Sequence, residues 1–269
     1  MIDFDEIDEW APRLSEILTP LFMGSGREKL GAARPGYIED ARDFLFDLTD
    51  RDAVIDLVLA WICSEQVVGY HGSRLTEEES ESVRAVGLIP LNAESRRVRI
   101  ERALSSHPEW PKVSQRVSEV LNSHGPAKAA GYRENQVHLT FSRSGLVRSF
   151  NHYLSHGAEF DQIVAHELLG PSGVELLAED GEPRLIQVAV PGVHALDAAH
   201  PFFSVDDLRA RGEIPNLVNE IVKAWAFRAT QPGFQSRSLR ADFGMMFRSV
   251  VPPAWILQIE RISLQPSEN

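Results

Sequence analysis

Val67-Val68-Gly69-Tyr70-His71-Gly72-Ser73 is the stretch on which the fold turns. Paired valines followed by an aromatic favour an extended chain, so the segment reads as a short strand running into a glycine turn at Gly72. Thr76-Glu77-Glu78-Glu79 follows with the Ser/Thr-x-x-Glu pattern, in which the first and fourth side chains satisfy each other's backbone N–H groups at a helix start. Val83 and Val86 recur at helical spacing until Gly87, a residue suited to ending a helix. The segment is therefore strand, turn, helix, with a histidine and a serine at the strand's end.

Upstream, residues 1 to 65 read as helical. Ile7, Trp10, Leu14, Ile17, Leu18 and Leu21 repeat at intervals of three and four, as do Phe44, Leu45 and Leu48. Gly24-Ser25-Gly26 and Pro35-Gly36 divide this region into two or three helices. Downstream, charged helices are expected over Ala93 to Leu104 and Ser114 to Leu121, and further helices over Gly145 to Leu154 and Pro215 to Trp225. Gln136 to Phe141 and Arg184 to Val190 alternate polar and apolar residues like half-buried strands, and Trp255 to Ile262 is a third candidate. The class is α+β: a helical extension over residues 1–65 and a strand-bearing domain over residues 66–269.

Composition narrows the function. The 269 residues carry a formal net charge of −12, with 43% hydrophobic and 25% charged side chains, which excludes a mostly disordered chain. It also argues against general nucleic-acid binding, because neutralising phosphates needs a basic face. The single cysteine, Cys63, can form no intrachain disulfide, and its place in the apolar run from Ile55 predicts a buried small hydrophobe. The acidic start, Met1-Ile2-Asp3-Phe4-Asp5-Glu6, lacks the basic and apolar regions of a secretory signal. No apolar stretch is long enough to span a bilayer, so a cytoplasmic protein without a membrane partner is expected.

Tyr70-His71-Gly72-Ser73, the helix after it and the turn Gly87-Leu88 resemble the first motif of the ADP-ribosyltransferase superfamily, in its poly(ADP-ribose) polymerase-like and diphtheria-toxin-like branch. Val137-His138-Leu139-Thr140-Phe141-Ser142 resembles the second motif strand, which in that superfamily leads into a helix carrying a tyrosine, here Tyr153. Val250-Val251-Pro252-Pro253-Ala254-Trp255-Ile256 resembles the Ile-Pro-Pro-Glu-x-Ile element near the end of many such domains. The same order, with Arg133 ahead of the second strand, is similar to the RNA 2′-phosphotransferase branch. The likeness spans roughly residues 66 to 262.

This resemblance implies a split antiparallel β-sheet core that takes NAD as a substrate, transfers ADP-ribose to a macromolecular or small acceptor, and often serves as a toxin or defence effector. Its implied site is Tyr70, His71, Gly72 and Ser73 with Thr140, Ser142 and Arg240 around the dinucleotide, and His71, Tyr153 and a carboxylate for chemistry. The residue types suit the task. A histidine at a strand end can bond a ribose hydroxyl, and a glycine beside it lets the backbone approach the carboxamide. Departure of nicotinamide builds positive charge on the ribose, which an aromatic face and a carboxylate stabilise. The family's glutamate has no clean counterpart; Asp242 and Glu260 are the candidates. Without a carboxylate, RNA 2′-phosphotransfer or a non-catalytic NAD- or ADP-ribose-binding module gains ground. Residues 227 to 248 carry +3, from Arg228, Arg237, Arg240 and Arg248 against Asp242, and guanidinium groups grip pyrophosphate.

Two other patterns carry no chemistry. His166-Glu167 begins like a zinc-protease helix, but Gly170 stands where the second histidine belongs. Gly69-x-x-Gly72 lacks the third glycine of a dinucleotide fingerprint.

Overall fold

The structure is a computed structural model that describes residues 1–124, 135–200 and 202–264. Five strands form one sheet: β1 (Gln66–Leu75), β2 (Val137–Thr140), β3 (Glu182–Pro191), β4 (Gly244–Phe247) and β5 (Ile256–Arg261). Their order is β4-β2-β1-β3-β5, which puts β1 in the centre. That position explains its sequence. Val67, Val68, Gly69 and Tyr70 are all buried, and a strand covered on both faces reads as a continuous apolar run. β5 pairs antiparallel with β3 from Arg184↔Arg261 to Val188↔Ile256, with a bulge between Gln187 and Val188.

Four helices precede β1: α1 (Ile7–Leu18), α2 (Gly26–Ala32), α3 (Ile38–Leu48) and α4 (Arg51–Ser64). Between β1 and β2 lie α5 (Glu77–Val86), α6 (Ala93–Leu104), α7 (Trp110–Val113) and α8 (Val117–Ser123). Between β2 and β3 lie α9 (Arg143–Arg148), α10 (His152–His156), α11 (Glu159–Leu169) and α12 (Pro171–Glu179). Then come α13 (Gly192–Ala198), α14 (Val205–Ala210) and α15 (Asn216–Thr230) before β4. The protein is α+β, as its sequence indicates.

The chain divides into two compact units. The first is Met1–Gly69, Thr140–Gly145 and Ala189–Met246; the second is Tyr70–Leu139, Leu146–Val188 and Phe247–Asn269. In the first, α15 packs on α3, α2 and α1, and α4 packs on α13. The helices before residue 65 thus share their unit with α13 to α15, and the divisions fall within β1, β2, β3, β4 and α9. The second unit holds a helical core in which Ile100 and Leu104 of α6 and Val117 and Val120 of α8 meet Phe160, Val164 and Leu168 of α11.

Several expectations need correction. Gly72 is no turn; β1 continues through it to Leu75. The helix expected over residues 145–154 is two short helices, α9 and α10. Cys63 is exposed, because the inward face of α4 is taken by Val54, Ile55, Val58, Leu59 and Ile62 and Cys63 falls outside that arc. The local signals at the first helix after β1 do hold. Thr76 accepts from Glu79 N, Glu79 accepts from Thr76 N at 2.8 Å, and Gly87 ends α5 at φ +87°.

Candidate functional site

In the second unit, His71 lies in β1 and its Nδ1 is 2.9 Å from the backbone carbonyl of His138 on β2. A carbonyl only accepts, so Nδ1 carries the hydrogen and Nε2 of the neutral ring is an acceptor. Burial pushes the imidazole below its usual value, and the carbonyl partly offsets this. At neutral pH the ring is therefore a fixed, uncharged tautomer. Alternation along the strand places Ser73 on the same face as His71 and Gly72 on the other. Among the described residues the Ser73 hydroxyl makes one long contact, 3.4 Å to the Arg74 carbonyl.

Gly72 has a packing role. A Cβ there would stand 3.1 Å from a methyl of Leu146 and 3.2 Å from one of Leu154, so the bare α-carbon admits α9 and α10 against the strand. Tyr153 belongs to α10, on that side, and its ring stacks on His152 at 4.1 Å between centroids. Tyr70 is buried at 4% exposure. Arg74 is spent on backbone: it donates to the carbonyls of Gly181 at 2.5 Å, Asp180 at 3.3 Å, and Leu154 and Ser155 at 3.4 Å, holding the end of α10 to the end of β1. The Gly-Leu and Val-Pro-Pro elements do meet, since Leu88 and Val251 exchange backbone hydrogen bonds at 3.0 and 2.9 Å. Glu260 sits on β5, opposite Leu185 and separated from β1 by β3, roughly 10 Å away at ordinary strand spacing.

The remaining site candidates belong to the first unit. The Thr140 hydroxyl donates to the Phe243 carbonyl at 3.3 Å, which sets Asp242, exposed, beside the end of β2. Arg240 is exposed and held in the left-handed region at φ 47°, a costly conformation for a residue other than glycine. Ser142 is fully buried; its hydroxyl donates to Asp5 at 2.9 Å and accepts from Gly145 N at 2.9 Å. It therefore holds a turn and presents nothing to a ligand. Asp5 also accepts from Ser144 N at 2.7 Å, and burial raises its carboxyl above the ordinary value. Arg133 lies outside the described residues.

Sequence reasoning missed two polar clusters. Arg96 and Arg99 of α6 are buried around one shared carboxylate, that of the buried Asp161 of α11, with Arg96 also over the Phe160 ring at 4.0 Å. In the sequence Arg96, Arg97, Arg99 and Arg102 read as a charged helix face first and an RNA or phosphate contact second, and nothing there signals that Arg96 and Arg99 are buried. Ser172 Oγ lies 3.2 Å from His107 Nε2, the spacing of a nucleophile and its base. Yet His107 Nδ1 accepts from Glu109 N, so the neutral ring carries its hydrogen on Nε2 and donates to the serine, whose own hydrogen goes to the Leu169 carbonyl. That pair is structural.

Among the described residues no group of three or more His, Cys, Asp or Glu side chains could hold a metal ion, and no helix is long and apolar enough to cross a membrane. Compared with protein-family models, with curated proteins and with solved structures, the chain matches none.

Proposed function

We propose that the chain is an NAD-consuming ADP-ribosyltransferase. The observation that carries this reading is the imidazole of His71, fixed by the His138 carbonyl with Nε2 left as an acceptor and with the Ser73 hydroxyl on the same strand face. A neutral acceptor beside a hydroxyl is suited to a ribose diol. In the reaction the bond between the ribose carbon and the nicotinamide nitrogen breaks, the electron pair leaves with nicotinamide, and the acceptor's nucleophile bonds the ribose carbon and loses a proton. His71 would hold the ribose hydroxyl. A carboxylate would stabilise the positive charge.

A second reading, a module that binds NAD or ADP-ribose without cleaving it, is favoured by one observation: among the described residues the only hydrogen-bond partner of His71 is a backbone carbonyl, not a carboxylate.

The test is to incubate the protein with NAD and follow free nicotinamide, comparing wild type with His71→Ala, Asp242→Asn and Glu260→Gln. Release lost in His71→Ala at an unchanged melting temperature supports transfer chemistry, and the carboxylate variant that also loses it identifies the partner. A rise in melting temperature with NAD but no release supports the binding module. Phosphate release from a 2′-phosphorylated RNA that accompanies NAD use would redirect the assignment to phosphotransfer.

A further inference from the structure

Helices α1, α2 and α15 of the first unit border a cleft of about 350 Å³, a size that suits small organic molecules. Its floor is apolar, with Ala11, Leu30 and Trp225 buried beneath it. The indole N–H of Trp225 is already given to Ser15 Oγ at 3.0 Å, so the indole is not open to a ligand.

The charged groups are Asp8, Arg27 and Arg228. Arg228 Nη2 pairs with Asp8 at 2.7 Å, and these two cancel. Arg27 is the surplus. Its Nη1 alone is anchored, on the Thr19 hydroxyl and on the Ser15 carbonyl at 3.4 Å. Its Nε and Nη2 make no hydrogen bond among the described residues. Those two N–H groups form one edge of the guanidinium and point in parallel, the geometry that accepts both oxygens of a carboxylate. The Nη1 contacts hold the exposed guanidinium at the cleft, which lowers the ordering cost of binding.

We propose that this cleft binds a small monocarboxylate with a flat apolar body. One surplus positive charge matches one negative charge, and the floor of Ala11, Leu30 and Trp225 takes an apolar face. The proposal does not rest on NAD chemistry.

Benzoate is the probe, with benzamide as its uncharged counterpart, and binding is read by titration calorimetry. Benzoate is expected to bind with one-to-one stoichiometry and benzamide far more weakly. Arg27→Met should weaken benzoate about tenfold or more, the scale of a lost charged hydrogen bond. Gly31→Leu should abolish binding by filling the cleft, since a Cβ at Gly31 meets only the Ala229 carbonyl at 3.9 Å and leaves room for the longer side chain to fold. The proposal is overturned by no heat of binding at about 10 mM benzoate, ten times the constant of a millimolar site. It is equally overturned by benzamide binding as well as benzoate, or by full affinity in either variant.

Discussion

The imidazole of His71 and the backbone carbonyl of His138, 67 positions apart in the chain, are joined by a 2.9 Å hydrogen bond between adjacent strands. The bond holds the ring by one nitrogen and chooses which nitrogen a ligand meets.

This bond and the burial around it have a consequence for pH. The folded-state value of His71 is lowered, so the protonated ring is less favoured in the folded than in the unfolded chain. Its contribution to stability is full above the unfolded value of about 6.5 and is lost as pH falls below it. Melting temperatures measured from pH 8 to pH 5 should fall more steeply for wild type than for His71→Gln. Parallel curves would show that the ring titrates normally.

Gly72 separates packing from ligand contact. Valine there overpacks against Leu146 and Leu154 and should cost about 1–3 kcal/mol in urea unfolding. Alanine should cost less, because the obstructing atoms are the ends of flexible leucines. If Gly72→Ala leaves stability unchanged but blocks NAD, the glycine serves the ligand after all.

Gly87 is less forgiving. Its φ of +87° is left-handed, and a Cβ would run into the Val251 carbonyl at 2.0 Å. Gly87→Ala should destabilise by about 2 kcal/mol or more and break the Leu88–Val251 pairing, visible as faster amide exchange at Leu88. An alanine variant with wild-type stability and exchange would contradict this.

Asp161 is buried between Arg96 and Arg99, with desolvation raising its carboxyl against the pull of both guanidinium groups. Asp161→Asn removes the carboxylate that both buried guanidinium groups face and should cost about 3–5 kcal/mol by chemical denaturation. A loss below about 1 kcal/mol would mean that water reaches the pair.

Much of the local structure was legible in the sequence. Thr76, Glu79 and Gly87 bounded α5, and the spacing of Ile7, Trp10, Leu14 and Leu18 gave α1, because capping and amphipathic repetition act within a few residues. The helical reading of residues 145–154 failed at Ser149 and Phe150, where apolar spacing continues although the chain turns. Of the site, His71 and Ser73 could be singled out by residue type and neighbours. The use of Gly72 for packing could not, since Leu146 and Leu154 lie more than seventy positions away. Nor could the burial of Ser142, whose partner Asp5 lies at the other end of a 137-residue separation.

The sequence by itself determined an acidic, core-forming α+β chain with a strand beginning near Val67, a histidine and serine near its end, and the capped helix after it, but not the strand's continuation through Gly72 to Leu75. Only the tertiary structure decided the order β4-β2-β1-β3-β5, the carbonyl that orients His71, the outward turn of Cys63 and the single carboxylate shared by Arg96 and Arg99. The reason is physical. Helix caps and periodicity are set by atoms a few bonds apart, whereas strand order and buried ion pairs are set by which distant surfaces exclude water together, a property of the whole packed chain.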